Sequence, residues 1–351
     1  MENKDFQHFQ QIIEKAGKVY EKNFDRKCWF ERAVFLSWYC SRADCKFCEM
    51  SALAPEIKIK NPKLARRRSE SILAEILFAR MCDWRMEFLS GGYDCYSITG
   101  DEKRLLNLIE QCSKIYGKKI WLNIGNAGKE FLASAAEFVE GVCGSVETVN
   151  QKIREYACPS KPIAEIEDLL KKAEQLGLKR AMTIIIGLGE NIDDIEKLFA
   201  LIRKHSITRI TFYSLIPHKG TAYENAKIPK KEYYAKWIAK TRIEFPKLEI
   251  IAGIWVDRIE QIGILLNAGA NAITKLPAIK VFGTKTGRNI EGEISRADRK
   301  FEGTLTMLNP EIVKNAELIV NNSGFEQELK QKIMKKFNAY LKQAKRKYSY
   351  D

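Results

Sequence analysis

Ala33-Val34-Phe35-Leu36-Ser37-Trp38-Tyr39-Cys40-Ser41-Arg42-Ala43-Asp44-Cys45-Lys46-Phe47-Cys48 joins an apolar, strand-like segment to a loop carrying three cysteines. Three thiolates on one short loop hold three irons of a 4Fe-4S cluster and leave the fourth open, where a small chelating molecule can bind. A structural zinc site needs a fourth ligand. The nearest other cysteines are Cys28 and the more distant Cys82 and Cys95, and no second Cys-x-x-Cys pair follows. The missing fourth ligand favours an iron–sulfur site with an open iron.

Seven more short apolar, β-branched or aromatic runs follow the first, Ala33–Trp38. They are Arg85–Ser90, Lys119–Ile124, Gly141–Val146, Ala181–Ile186, Ile207–Ser214, Leu248–Ile254 and Ala272–Leu276. Amphipathic stretches of helical length lie between them, among them Leu64–Met81, Glu102–Tyr116, Ile163–Leu176, Ile192–His205 and Lys231–Phe245. Strand and helix alternating eight times predict an α/β fold, a (β/α)8 TIM barrel. The helical pattern over residues 4–22 predicts a leading helix under the barrel. The organisation expected is a lead-in over 1–30, the barrel over 31–308 and a helical extension with a basic tail over 309–351. Residues 278–308, with Gly283, Gly287, Gly292 and Gly303, read as a loop-rich closing segment.

Active residues of such barrels sit at the C-terminal ends of strands and in the loops beyond. The cysteine loop follows the first strand, Ser90-Gly91-Gly92 the second, Asn123 ends the third and Glu147 the fourth. These features fall on one rim.

The chain has 351 residues, 45% hydrophobic and 30% charged, enough for a sizeable core. No long uncharged apolar run suggests a membrane span, and the polar first residues do not read as a secretory signal. Nine cysteines, an odd number with three clustered, fit a reducing cytoplasm and a metal site rather than a disulfide framework. The net charge of +14 is spread among glutamates, densest at Lys63–Arg68 and Lys342–Lys347. It reads as a solvated basic surface, suited to an anionic substrate or an acidic electron donor, and a nucleic-acid partner is not expected.

On these residues the chain resembles the radical S-adenosylmethionine (SAM) superfamily, whose usual motif is C-x3-C-x-φ-C with φ aromatic or apolar. Here the first gap is one residue longer. Ser90-Gly91-Gly92 matches the family's Gly-Gly pair, where the backbone meets the methionyl amino group; glycine allows that approach because it has no Cβ. Thr183-Ile184-Ile185-Ile186-Gly187-Leu188-Gly189-Glu190 matches the family's G-x-I-x-G-x-x-E pattern beside the adenine, with Thr183 in place of the first glycine. The resemblance covers residues 30–290. It implies Cys40, Cys45 and Cys48 as cluster ligands. It further implies Phe47, Ser90, Gly91, Gly92, Asn123, Glu147, Lys161 and Ile186 as contacts to SAM. Phe47 also suits a place in the core, and a Gly-Gly pair also suits an ordinary turn.

Glu147-Thr148-Val149-Asn150 and Leu215-Ile216-Pro217-His218-Lys219-Gly220-Thr221 resemble the biotin synthase, hydrogenase maturase and methylornithine synthase branch. Its acid meets the SAM ammonium, and an Arg after it meets the carboxylate. Lys161 occupies that position here, with Arg154 as the competing candidate; lysine acts as a point charge without the bidentate fork. A sulfur-inserting enzyme like biotin synthase holds a second cluster, but the aligned positions Leu89, Trp121, Ala181 and Ile254 cannot ligate iron. A lipoyl synthase has an additional N-terminal cysteine trio, whereas only Cys28 precedes Cys40 here. The resemblance therefore implies a cofactor-building enzyme like the hydrogenase maturases or methylornithine synthase. The maturase of the iron-guanylylpyridinol cofactor also has a lengthened first gap, of a different length. Sulfur insertion and tRNA modification are the alternatives. An external electron donor of flavodoxin or ferredoxin type is implied. Substrate contacts are expected from Asn123, Tyr213, His218, Trp255, Asp257 and Lys275, and Trp38, Trp121 and Trp255 are expected to line or floor the cavity. Cys95 and Cys158, in rim loops, are candidates for substrate or cluster binding.

Overall fold

Strands β1 (Lys27–Phe35), β2 (Arg85–Ser90), β3 (Ile120–Asn123), β4 (Val139–Glu147), β5 (Lys179–Ile186), β6 (Arg209–Ser214), β7 (Glu249–Gly253) and β8 (Ala272–Thr274) lie side by side in sequence order in a computed structural model. Every neighbouring pair is parallel, and β1 pairs with both β2 and β8, which closes the eight strands into a barrel. The structure describes residues 3–51, 65–94, 101–308 and 310–348. The expected barrel is the one observed, preceded by helix Asn3–Phe24 and followed by helices Pro310–Asn321 and Gln327–Tyr348.

The helices begin where local chemistry satisfies their free ends. Asp101 caps Glu102–Tyr116 by accepting the Arg104 N–H at 2.7 Å, and Gly117, at φ 78°, ends it in the left-handed region. Asn150 caps Gln151–Ala157 by accepting from Ile153 at 3.3 Å, and its amide also donates to Asp194.

Two segments differ from the sequence expectation. Strand β1 starts at Lys27 rather than Ala33 and ends at Phe35 rather than Trp38. Glu31 and Arg32 break the apolar run, yet the strand continues through them because each carries its charge to a partner. Arg32 meets Glu75 at 2.6 Å, and Glu31 meets Arg209 at 3.1 Å. The closing segment is not loop-rich. It forms helices Ala278–Val281 and Lys285–Arg296 and a ninth strand, β9 (Lys300–Glu302), parallel to the first residues of β1. Gly287 serves packing there: a Cβ would lie 2.7 Å from the Leu305 carbonyl and 2.8 Å from that of Val281.

The barrel interior is polar at its lower end and carries the site at its upper end. Below, Glu31 accepts from Trp29 Nε1 at 2.8 Å and from Arg209, which also meets Glu249 at 2.7 Å and lies 4.6 Å from the centre of the Trp121 ring. Ala33, Phe88, Trp121, Cys143 and Ala181 pack together above them. Strand β2 carries one extra residue. Arg32 pairs with Met86 and Ala33 with Phe88, so Glu87 is left over in a bulge. Glu87 and Phe88 consequently both reach the interior, where Glu87 accepts from Tyr213 Oη at 2.5 Å and from Thr274 Oγ1. Leu89, aligned above with an interior ligand position, instead belongs to the core outside the barrel, as does Ile254.

Candidate active site

The cysteine loop lies across the mouth of β1, β2 and β4 and roofs a cavity of about 160 Å³. Cys40, Cys45, Phe47 and Cys48 line one side, and Ser90, Gly91, Gly92, Asn123, Glu147 and Lys161 line the other. Residues expected to act together thus face one space.

Gly92 sets how closely the loop approaches. A Cβ there would lie 2.5 Å from Cys40 Cβ and 2.5 Å from the Tyr39 carbonyl, so only glycine fits beneath the first cysteine. The Ser41 N–H donates to Tyr93 O at 3.2 Å, and the Arg42 guanidinium stacks 3.8 Å over the Tyr93 ring. The Gly91 N–H donates to Asn123 O at 2.9 Å, tying β2 to β3 at the rim. Ser145 donates its hydroxyl to Asn123 Oδ1 at 2.9 Å, which fixes the amide at the cavity wall.

Glu147 stands at φ 61°, the left-handed region that non-glycine residues rarely adopt, and such strain concentrates at working sites. Its carboxylate pairs with Lys161 Nζ at 2.7 Å and accepts from Thr183 Oγ1 at 3.4 Å. The hydroxyl in place of the motif's first glycine therefore steadies Glu147. Burial alone would lower the Lys161 pKa, but the Glu147 carboxylate prevails and raises it, so Lys161 stays charged through the neutral range. Arg154 donates to the carbonyls of Val146, Thr148 and Lys161. It braces the loop with the donors that a carboxylate contact would need, which leaves Lys161, beside Glu147, and Arg42, itself paired with Glu165, as the cations lining the cavity. Glu190, the last residue of the strand-5 motif, accepts the N–H groups of Gly187 at 2.8 Å and Leu188 at 2.9 Å and shapes that turn. Ile186 does not reach the cavity with its side chain, which is fully buried in the outer core.

The donor set fits an iron–sulfur cluster better than a single ion. Three thiols line one cavity, yet among the described residues no three His, Cys, Asp or Glu side chains lie close enough to hold one metal ion. A four-iron cage spaces its thiolates more widely than a tetrahedral zinc does. Burial pushes the Cys48 thiol up to about 11, so metal binding would supply the stabilisation that thiolate formation lacks there. Cys158, on the crossover after β4, lies beside Cys45, where the Lys46 N–H donates to Ala157 O at 2.9 Å. Cys95 lies outside the described residues.

The substrate candidates divide. Tyr213, Trp255 and Lys275 line a second, smaller cleft over β6–β8 with Ser214, Arg258 and Gln261. Gly253 makes room for Tyr213, whose ring carbon Cδ1 would lie 2.2 Å from any Cβ there. Lys275 stands at φ 75° with its ammonium 5.6 Å from the centre of the Tyr213 ring. Asn123 lines the first cavity instead. Asp257 points away, exposed and paired with Arg258 at 3.2 Å. His218 lines neither cavity; its carbonyl accepts from Thr221, and burial lowers its pKa. Trp121 packs inside the barrel, but Trp38 is 43% exposed and stacks on Phe35, so it floors nothing. Sequence reading did not single out Glu87, whose only signal is a carboxylate inside the apolar run Met86–Leu89.

Residues 37–202 match the family model described as the radical SAM superfamily. An uncharacterised protein of Methanocaldococcus jannaschii is 40% identical over 353 aligned positions, covering 96% of both chains. The 3-methylornithine synthase of Methanosarcina acetivorans is 23% identical over 262 positions, covering 74% of this chain and 73% of that one. The crystal structure of a methylornithine synthase has a TM-score of 0.66 at 19% identity, covering 89% of this chain and 88% of that one, a likeness of fold.

Proposed function

Because the chain belongs to the radical SAM superfamily, in the branch of biotin synthase, hydrogenase maturase and methylornithine synthase, we propose that it acts on a small anionic substrate in cofactor assembly. The observation that carries the reading is the single cavity uniting Cys40, Cys45 and Cys48 with the Glu147–Lys161 pair. The cysteines would hold a 4Fe-4S cluster which, with SAM at its open iron, supplies a 5′-deoxyadenosyl radical. Glu147 is suited to the ammonium of an amino-acid head group and Lys161 to its carboxylate, so a zwitterion satisfies both charges when it parts them. Ser90 and the Gly91-Gly92 backbone are suited to the same head group, and Asn123 to the wall beside it.

The substrate side rests on donor accounting. Among the described residues Lys275 Nζ and the Gln261 amide have no hydrogen-bond or ion-pair partner, and Arg258 stands beside them. Donors without acceptors around one cleft suit a carboxylate or phosphate. The cleft is small, about 20 Å³, so a substrate would reach it with one end only. An acidic flavodoxin or ferredoxin would deliver the electron.

Sulfur insertion is the weaker reading, since Cys143 is the one thiol in the packed interior layer. Anaerobic reconstitution followed by dithionite and SAM separates the possibilities. About four irons per chain and release of 5′-deoxyadenosine are expected for one cluster, whereas about eight irons would favour sulfur insertion. No release of 5′-deoxyadenosine would end the proposal. Salt-sensitive retention on tRNA would favour the RNA reading instead.

A further inference from the structure

We propose that Cys45 and Cys158 are a redox-active thiol pair, and that in the chain without its cluster they join as a disulfide that closes the cluster site. The two residues flank one backbone hydrogen bond. The peptide leaving Cys45 donates its N–H, from Lys46, to the carbonyl of Ala157, in the peptide entering Cys158, at 2.9 Å. That backbone bond sets the two side chains beside each other, with the thiols near enough to interact.

The segments carrying them are fastened on both sides of this contact. Arg42 pairs with Glu165 at 2.6 Å and donates to Ser160 O. The Ser160 N–H donates to Asp44 Oδ2 at 3.1 Å. Lys46 Nζ sits 3.7 Å from the centre of the Tyr156 ring. A disulfide tolerates only a narrow range of backbone separations, and this docking holds the two residues near one another without large rearrangement.

Cys158 has no other visible task. It is 1% exposed and does not line the cavity, whereas Cys45 is partly accessible and does. Oxidation therefore begins at Cys45. The Cys45 sulfur, giving up its proton, attacks one sulfur of glutathione disulfide and releases glutathione; the Cys158 thiol, losing its proton, then displaces the second glutathione. The protein loses two electrons and two protons, and glutathione disulfide becomes two glutathiones. With Cys45 spent, two cluster ligands remain, and iron cannot be held until a reductant reopens the bridge. This inference rests on thiol geometry and stands whatever substrate the enzyme takes.

The test uses the full chain stripped of iron by a chelator under nitrogen, then treated with excess glutathione disulfide. Alkylation with iodoacetamide, digestion and mass spectrometry locate the bridge. The expected result is a Cys45–Cys158 linked peptide with Cys40 and Cys48 alkylated. Iron uptake on reconstitution is lost and returns after a phosphine reductant. Cys158→Ser is expected to keep iron uptake after the same treatment. Alkylated Cys158 in the oxidised chain, a bridge from Cys45 to Cys40 or Cys48, or equal sensitivity of Cys158→Ser would each overturn the proposal. The mapping of the native chain decides the matter even where the variant fails to fold.

Discussion

Glu147 and Lys161, both buried, neutralise each other 2.7 Å apart, and that arrangement sets what each substitution should do. Lys161→Met leaves a buried carboxylate alone, at a cost of about 3–5 kcal/mol in urea unfolding. The double variant Glu147→Gln, Lys161→Met should recover most of that stability while still binding SAM ~10-fold or more weakly, about 1.4 kcal/mol. Recovery of binding in the double variant would refute the role given to the pair. Gly92→Ala should displace Cys40 and lower iron content after reconstitution. Gly128→Ala, where a Cβ meets nothing within 4 Å, serves as its control. At this scale the sequence is informative because chemistry dictates residue type: thiols for iron, glycine for contact, a cation for a carboxylate. It cannot separate Arg154 from Lys161, since that choice depends on three carbonyls brought round by a folded loop.

Strands and helices obey burial patterns, so the places where they mislead are places where a charge is buried with a partner. Glu31 inside β1 is of that kind, since periodicity cannot foresee Arg209; the helix over Lys285–Arg296 is missed for another reason, the close packing of Gly287. Glu87 has a measurable consequence. Burial raises its pKa, against the hydrogen bonds from Thr274 and Tyr213 that lower it. A carboxyl with a raised folded pKa contributes stability below its unfolded value, and that contribution falls as the pH climbs through the folded one. Glu87→Gln does not ionise. Its Tm relative to the native chain should rise with pH from about 4.3, the ordinary glutamate value, upward. A pH-independent Tm difference would count against a strained carboxyl.

Across the whole molecule the last helix works as part of the barrel wall. Gln327–Tyr348 packs on Ser69–Met81, with Phe337 fully buried and its ring 6.2 Å from that of Phe78. Phe337→Ala should destabilise the protein by about 3–5 kcal/mol, read by urea or thermal unfolding, without changing iron stoichiometry. The eight-fold alternation made the barrel legible, whereas this docking is not, because a charged amphipathic helix does not declare the surface it covers. Among the described residues no helix is long and apolar enough to cross a membrane.

The extra residue in β2 bears on how such a chain tolerates changes of length. Arg32 pairs with Met86 and Ala33 with Phe88, so removing Glu87 would leave both partnerships standing. A single-codon deletion inside a barrel strand usually turns every later side chain to the opposite face. Here it should subtract one carboxylate, and with it the acceptor of the Tyr213 and Thr274 hydroxyls, while Ser90 stays on the cavity wall. A deletion variant that folds and takes up iron normally would mark position 87 as a place where the lineage can add or withdraw interior charge without rebuilding the strand.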